Sequence, residues 1–150
     1  MKLTSIDKTL IAWFGRTFIP VARLAIFVVF FYFGALKLFG QSPATPLAHA
    51  LVTKTLGAAH FGFWFKLLAV LECLIGILFL LPKATRIVIP LLLIHMLVVC
   101  SPLFIIPHAV WSKPFVPTLE GQYIIKNIAI IALAIGIASQ TKPLDRRAGR

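Results

Sequence analysis

Four stretches of this chain are long and apolar enough to cross a lipid bilayer, and no other feature limits its fold as much. They run over about 20–39 (PVARLAIFVVFFYFGALKLF), 63–81, 86–106 and 122–139. A spanning helix needs roughly 20 mainly apolar residues. Inside lipid, only helices and closed barrels satisfy their own backbone groups, and runs of this length point to helices. The 150 residues are 60% apolar and 13% charged, whereas a soluble domain carries about half apolar and about a quarter charged residues. That apolar excess does not fit inside one small globule. The expectation is an all-α, integral membrane four-helix bundle, built as a single domain over residues 1–150.

The charge pattern gives this bundle a direction. The net charge is +11, a value that would suit a nucleic-acid binder if the basic residues formed one soluble face. They sit instead at the ends of the apolar runs, so nucleic acid is not an expected partner and the bilayer is. With the N-terminus inside, the cytoplasmic ends hold Lys2, Lys8, Arg16, Arg23, Lys83, Arg86, Lys142, Arg146, Arg147 and Arg150. The opposite side holds Lys37, Lys54, Lys66, Lys113 and Lys126. Ten against five places both termini in the cytoplasm. Ala48-His49-Ala50 has the shape of a signal-peptidase site but lies too far along the chain, so the first run is expected to stay in the protein.

The connections carry their own signals. Residues 6–18 (IDKTLIAWFGRTF) mix apolar and basic side chains. They suit either an amphipathic helix in the inner headgroup layer or a plain aromatic and basic flank. A short outer helix is expected over about 46–56, with Thr45 as cap, Pro46 in the first turn and Gly57 past the end. The second outer connection contains Pro102, Pro107, Pro114 and Pro117, which break helix. The inner turn Pro82-Lys83-Ala84-Thr85 is tight, so the second and third spans should be antiparallel neighbours.

Within KLLAVLECLIGILFLL, residues 66–81, Glu72 falls close to the bilayer midplane. An unpaired acid there costs about 2.5–3.5 kcal/mol on insertion scales. Too short to snorkel, it must take up a proton or pair inside the bundle. By depth along the helices, Lys126 lies about 7 Å outward of the midplane at ~1.5 Å per residue and is the expected partner. Lys37 lies about a turn further out, within reach of the same region or of the surface, and His95 is near the middle of the third span. The expected buried polar cluster is therefore Lys37, Glu72, His95 and Lys126, one ionisable residue from each span.

Other chemistry is weaker in the sequence. Cys73 and Cys100 differ in depth by only about 6 Å at ~1.5 Å per residue, which makes a redox-active thiol pair conceivable. An apolar setting, however, supplies neither the access nor the environment that reactive thiols need, and small core residues are the plainer role. His49, His60 and His108 share the outer side but lack ligand-like spacing, so no metal site is expected. No phosphate loop or nucleophile elbow is present.

Several stretches resemble the DoxX-like group of small four-span membrane proteins, most closely its YkgB-like branch, which is linked to bacterial resistance against reactive chlorine. They are RLAIFVVFFYFGALKLF with Arg23, Gly34 and Lys37, then SPATPLAHAL, Glu72, SPLFIIPHAVW, and GQYIIKN with Gly121, Tyr123 and Lys126. The likeness spans roughly 16–139 and rests on the order of these stretches more than on any one motif. It departs where the residue after the fourth-span lysine is Asn127 rather than an acid, which leaves Glu72 the stronger partner for Lys126. The first outer loop is also shorter than in longer relatives.

The resemblance implies a multi-pass protein of the bacterial inner membrane. The same resemblance implies a role in oxidative or reactive-chlorine stress defence, with a protein partner or as a homo-oligomer, and a non-catalytic protein rather than an enzyme. Relatives that serve as subunits of quinone-linked oxidoreductases suggest an alternative, with a quinone as cofactor and the four polar residues binding its carbonyls or moving protons. A small carrier or channel is a third reading.

Overall fold

The computed structural model describes residues 2–142; Arg146, Arg147 and Arg150 lie outside them. Seven helices follow in order: α1 (Lys2–Leu38), α2 (Thr45–Thr55), α3 (Phe61–Phe79), α4 (Thr85–Cys100), α5 (Pro102–Ile105), α6 (Pro107–Val110) and α7 (Leu119–Ser139). Four helical segments are long and apolar enough to cross a membrane: Thr4–Leu38, Ala58–Phe79, Pro82–Ile105 and Leu119–Ser139. The described part of the chain is thus a mostly helical, multi-pass architecture whose apolar outer surface suggests contact with lipid.

The buried positions show why these segments pack as they do. Ala22, Ile26, Phe30 and Gly34 recur along α1; Phe65, Ala69, Glu72, Ile75, Gly76 and Phe79 recur along α3. Val88, Leu92, His95 and Met96 on α4, and Gly121, Ile124, Ala134 and Ile137 on α7, complete the inner faces. Spacings of three and four residues put each set on one helix face. The opposite faces remain apolar yet exposed, as at Val28, Leu67, Leu97 and Ile128. A soluble helix would carry charge there, so this surface suggests contact with a nonpolar solvent.

Two helix pairs dominate the packing, α1 on α3 and α4 on α7. Glycine makes the first pair close. A Cβ on Gly34 would lie 2.8 Å from the carbonyl oxygen of Ala69, and one on Gly76 would lie 2.9 Å from the backbone nitrogen of Phe31. Small residues at such crossings allow backbones to approach within lipid, where the hydrophobic effect gives helix pairing no help. The Cys73 thiol fills part of this seam, with Sγ 3.8 Å from the Phe31 carbonyl.

The end of the bundle that carries α2, α5 and α6 is here called the loop end, and the other the terminal end. At the terminal end a 3-10 turn, Pro82–Ala84, joins α3 to α4, which makes them antiparallel neighbours. At the loop end, Ser101 closes α4 with its hydroxyl donating to Val98 O at 2.7 Å, and Pro102 starts the single turn of α5. A two-stranded antiparallel hairpin follows, β1 (Trp111–Lys113) and β2 (Val116–Pro117). This strand pair departs from the all-α expectation. Pro114 and Pro117 keep the segment out of a helix, and Phe115 turns the chain at φ 63°. Thr118 then caps α7 by accepting from the Gly121 N–H at 3.2 Å, and Gly121 leaves room for the Val110 carbonyl. The expected cap of α2 also differs: Ala44 precedes the helix, and the Thr45 hydroxyl donates to Ser42 O at 2.7 Å.

Candidate functional site: a buried lysine–glutamate–histidine cluster

Glu72 sits on the buried face of α3, seven residues before its end at Phe79 and 6% exposed. Its Oε2 accepts from Lys37 Nζ at 2.5 Å, with 9% of the lysine side chain exposed. Lys37 lies one turn beyond Gly34, and a helical side chain leans toward its own N-terminus. The close crossing at Gly34 therefore aims the amine at α3. The ion pair exists because two backbones can nearly touch one turn away.

His95 approaches the other oxygen of the carboxylate. Its Nε2 lies 3.5 Å from Glu72 Oε1, within ion-pair range but long for a hydrogen bond. The ring is 2% exposed and meets Phe30 edge to face, with centroids 5.5 Å apart. Its Nδ1 is buried and has no hydrogen-bond partner. Three helices thus each contribute one ionisable side chain to a single polar centre. Lys37 and Glu72 neutralise each other, and the imidazole stands beside that pair.

Lys126 does not join them, which corrects the expected cluster and the expected partner of Glu72. It is exposed, with its amine 5.1 Å from the centroid of the equally exposed Tyr123 ring. The reason is helical phase. The inward positions of α7 include 121, 124, 134 and 137, and at ~100° per residue position 126 points about 200° away from 124. Depth along the axis does not settle which face of α7 carries Lys126.

No family model matches this chain, and no curated protein or solved structure matches it. The site therefore stands on its geometry.

Arg23 has a role that counting charges did not reveal. From α1 it donates through one terminal nitrogen to the Phe79 carbonyl at 3.0 Å and through the other to the Thr85 hydroxyl at 2.6 Å. It thereby ties the first span to the α3–α4 turn and places a cation at the C-terminus of α3, where the helix dipole favours one. Its Nε is buried without a partner, and among the described residues the side chain meets no carboxylate. Replacing Arg23 by methionine is expected to cost about 1.5–3 kcal/mol, the range for hydrogen bonds from a charged group. Equilibrium unfolding of the purified protein in detergent checks this, and an unchanged unfolding curve would remove the clamp from the account.

The remaining candidates are structurally plain. Cys73 and Cys100 are both free thiols, partly buried on α3 and α4. Among the described residues no group of three histidine, cysteine or acidic side chains is arranged to hold a metal ion. His49 packs edge-on against Phe61, with centroids 4.8 Å apart, and lines a shallow loop-end groove with Lys54 and His108.

Proposed function

We propose that this chain is a multi-pass protein of the bacterial inner membrane, with both termini cytoplasmic, that acts with protein partners or as a homo-oligomer in defence against oxidative or reactive-chlorine stress. Its resemblance to the DoxX-like group, and to the YkgB-like branch in particular, supports this reading. The observation that carries it is the buried Lys37–Glu72–His95 centre between spans. Such a centre is expensive to place in an apolar bundle, and intramembrane ionisable residues commonly mark function. The test is a deletion strain of the host challenged with hypochlorous acid. The strain is expected to be hypersensitive, and the wild-type gene and Lys126→Ala are expected to restore resistance where His95→Ala does not. A deletion strain as resistant as its parent would overturn the proposal.

One observation favours a second reading, a membrane subunit of a quinone-linked oxidoreductase. The unpartnered Nδ1 of His95 is a buried polar atom on a ring whose other nitrogen, Nε2, lies 3.5 Å from Glu72, and a buried polar atom of this kind calls for a partner such as a ligand carbonyl. Lipids extracted from the purified protein would then contain stoichiometric quinone, lost in His95→Ala. Extracts free of quinone would dismiss this reading and leave the first untouched.

A further inference from the structure

Two contacts fix the level at which α1 leaves the bundle. Arg23 reaches the α3–α4 turn, and the Phe18 ring lies where a Cβ on Gly136, near the end of α7, would be 3.2 Å away. Residues 4–16 are all exposed. The part of α1 from Lys2 to Thr17 therefore projects beyond the other helices as a rod about 24 Å long at ~1.5 Å per residue.

The surface of this rod is two-sided. At ~100° per residue, Ile6, Leu10, Ile11, Trp13, Phe14 and Phe18 fall within an arc of about 160°. All six are exposed, four of them by more than half. Lys8, Ala12 and Arg16 follow at four-residue spacing on the opposite side, where Lys8, Thr9, Ala12, Trp13 and Arg16 line a shallow groove. Asp7 is the one charge on that arc within residues 4–18. Large aromatic and aliphatic residues on one face and basic residues on the other are the composition of a helix that lies in a membrane interface.

The point of emergence is also the weakest point of the helix. Pro20 lies within α1 and offers no N–H to the Arg16 carbonyl. A helix bends most readily at such a position, and Pro20 is only two residues from Phe18, where contact with α7 ends.

We infer that residues 4–16 bend away in the turn between Arg16 and Pro20, with Phe18 kept against α7, and dock along an anionic lipid surface, with the Ile6–Phe14 face in the interfacial layer and Lys8 and Arg16 on headgroup phosphates. This rests on the reading that the four spans are inserted in a bilayer. The basic side of the helix decides for lipid over a second copy of the chain: pairing through the apolar faces would leave Lys8 and Arg16 pointing outward with no anionic partner, whereas an anionic lipid surface engages both the apolar face and the cations.

The test uses the full chain in proteoliposomes, with Trp64→Phe and Trp111→Phe leaving Trp13 as the only tryptophan. In vesicles containing phosphatidylglycerol, Trp13 fluorescence is expected to be quenched by brominated acyl chains and shielded from aqueous acrylamide. Lys8→Gln with Arg16→Gln should reduce both effects several-fold, to the level seen in phosphatidylcholine alone. Trp13 open to acrylamide in every vesicle would overturn the inference in favour of an upright rod. Shielding that grows with protein density and ignores lipid charge would overturn it in favour of pairing between copies. A companion variant with Trp13→Phe and Trp111→Phe retains Trp64 on α3. If Trp64 also escapes the brominated chains, the fault lies with membrane insertion itself and not with the docking.

Discussion

Lys37→Ala is expected to destabilise the protein by about 3–5 kcal/mol, the cost of leaving one partner of a buried ion pair uncompensated. Glu72 would then be a buried carboxylate whose nearest remaining polar neighbour is His95, 3.5 Å away. Glu72→Ala strands the lysine in the same way and should cost a similar amount. Lys126→Ala serves as the comparison: its amine is exposed over Tyr123, and surface substitutions of that kind usually fall within about 0.5 kcal/mol of wild type. The double replacement Lys37→Met with Glu72→Met removes both charges at once, and apolar replacement of a buried pair is often neutral or stabilising by about 1–4 kcal/mol. Equilibrium unfolding in detergent distinguishes these outcomes. If Lys37→Ala and Lys126→Ala unfold alike, the pair contributes nothing. If the double methionine variant is stable yet fails to restore oxidant resistance in the deletion strain, the charges serve function and not folding.

This contrast between two lysines also measures what was legible in the sequence. The four helices long and apolar enough to cross a membrane are legible in the sequence because apolar length is a one-dimensional property. Glu72 was visible for the same reason, as a charge in a place where charge is costly. Its partner was not found, because pairing depends on rotation about the helix axis as well as depth along it. Inward residues of α1 recur at 22, 26, 30 and 34, and Lys37 falls on that stripe, whereas the stripe on α7 bypasses Lys126; the α1 stripe does not stand out in the sequence, because the outward face of that helix, with Val21, Leu24 and Val28, is just as apolar. In the sequence Arg23 is one more basic residue flanking an apolar run, because its role depends on a carbonyl and a hydroxyl brought together by a distant turn. The β1–β2 hairpin was hidden for a different reason: the prolines announced only that helix would stop, not what would replace it.

The seam between α1 and α3 should be as sensitive as the ion pair it supports. Gly34→Val and Gly76→Val are each expected to cost about 3 kcal/mol, the upper part of the usual range for overpacking, because the added carbons meet backbone that cannot rotate away. At Gly34 the obstacles are the Ala69 carbonyl and the Cys73 nitrogen, 2.8 and 2.9 Å from an added Cβ, and at Gly76 they are the Phe31 nitrogen and the Phe27 carbonyl, at 2.9 and 3.2 Å. Gly62→Ala, at the open start of α3 with nothing within 4 Å, should be neutral or stabilising by up to about 1 kcal/mol through helix propensity. The seam and the polar centre are coupled, because α1 can only relieve the clash by moving away from α3, and that movement carries Lys37 from Glu72. In the Lys37→Met, Glu72→Met background there is no pair left to stretch, so Gly34→Val should cost less there than in wild type. Neighbouring sites of this kind typically show interaction energies of about 0.5–3 kcal/mol. Strict additivity in that cycle would mean that the glycine seam and the buried pair are separate features, and that close backbone approach is not what makes a charged centre affordable inside this bundle.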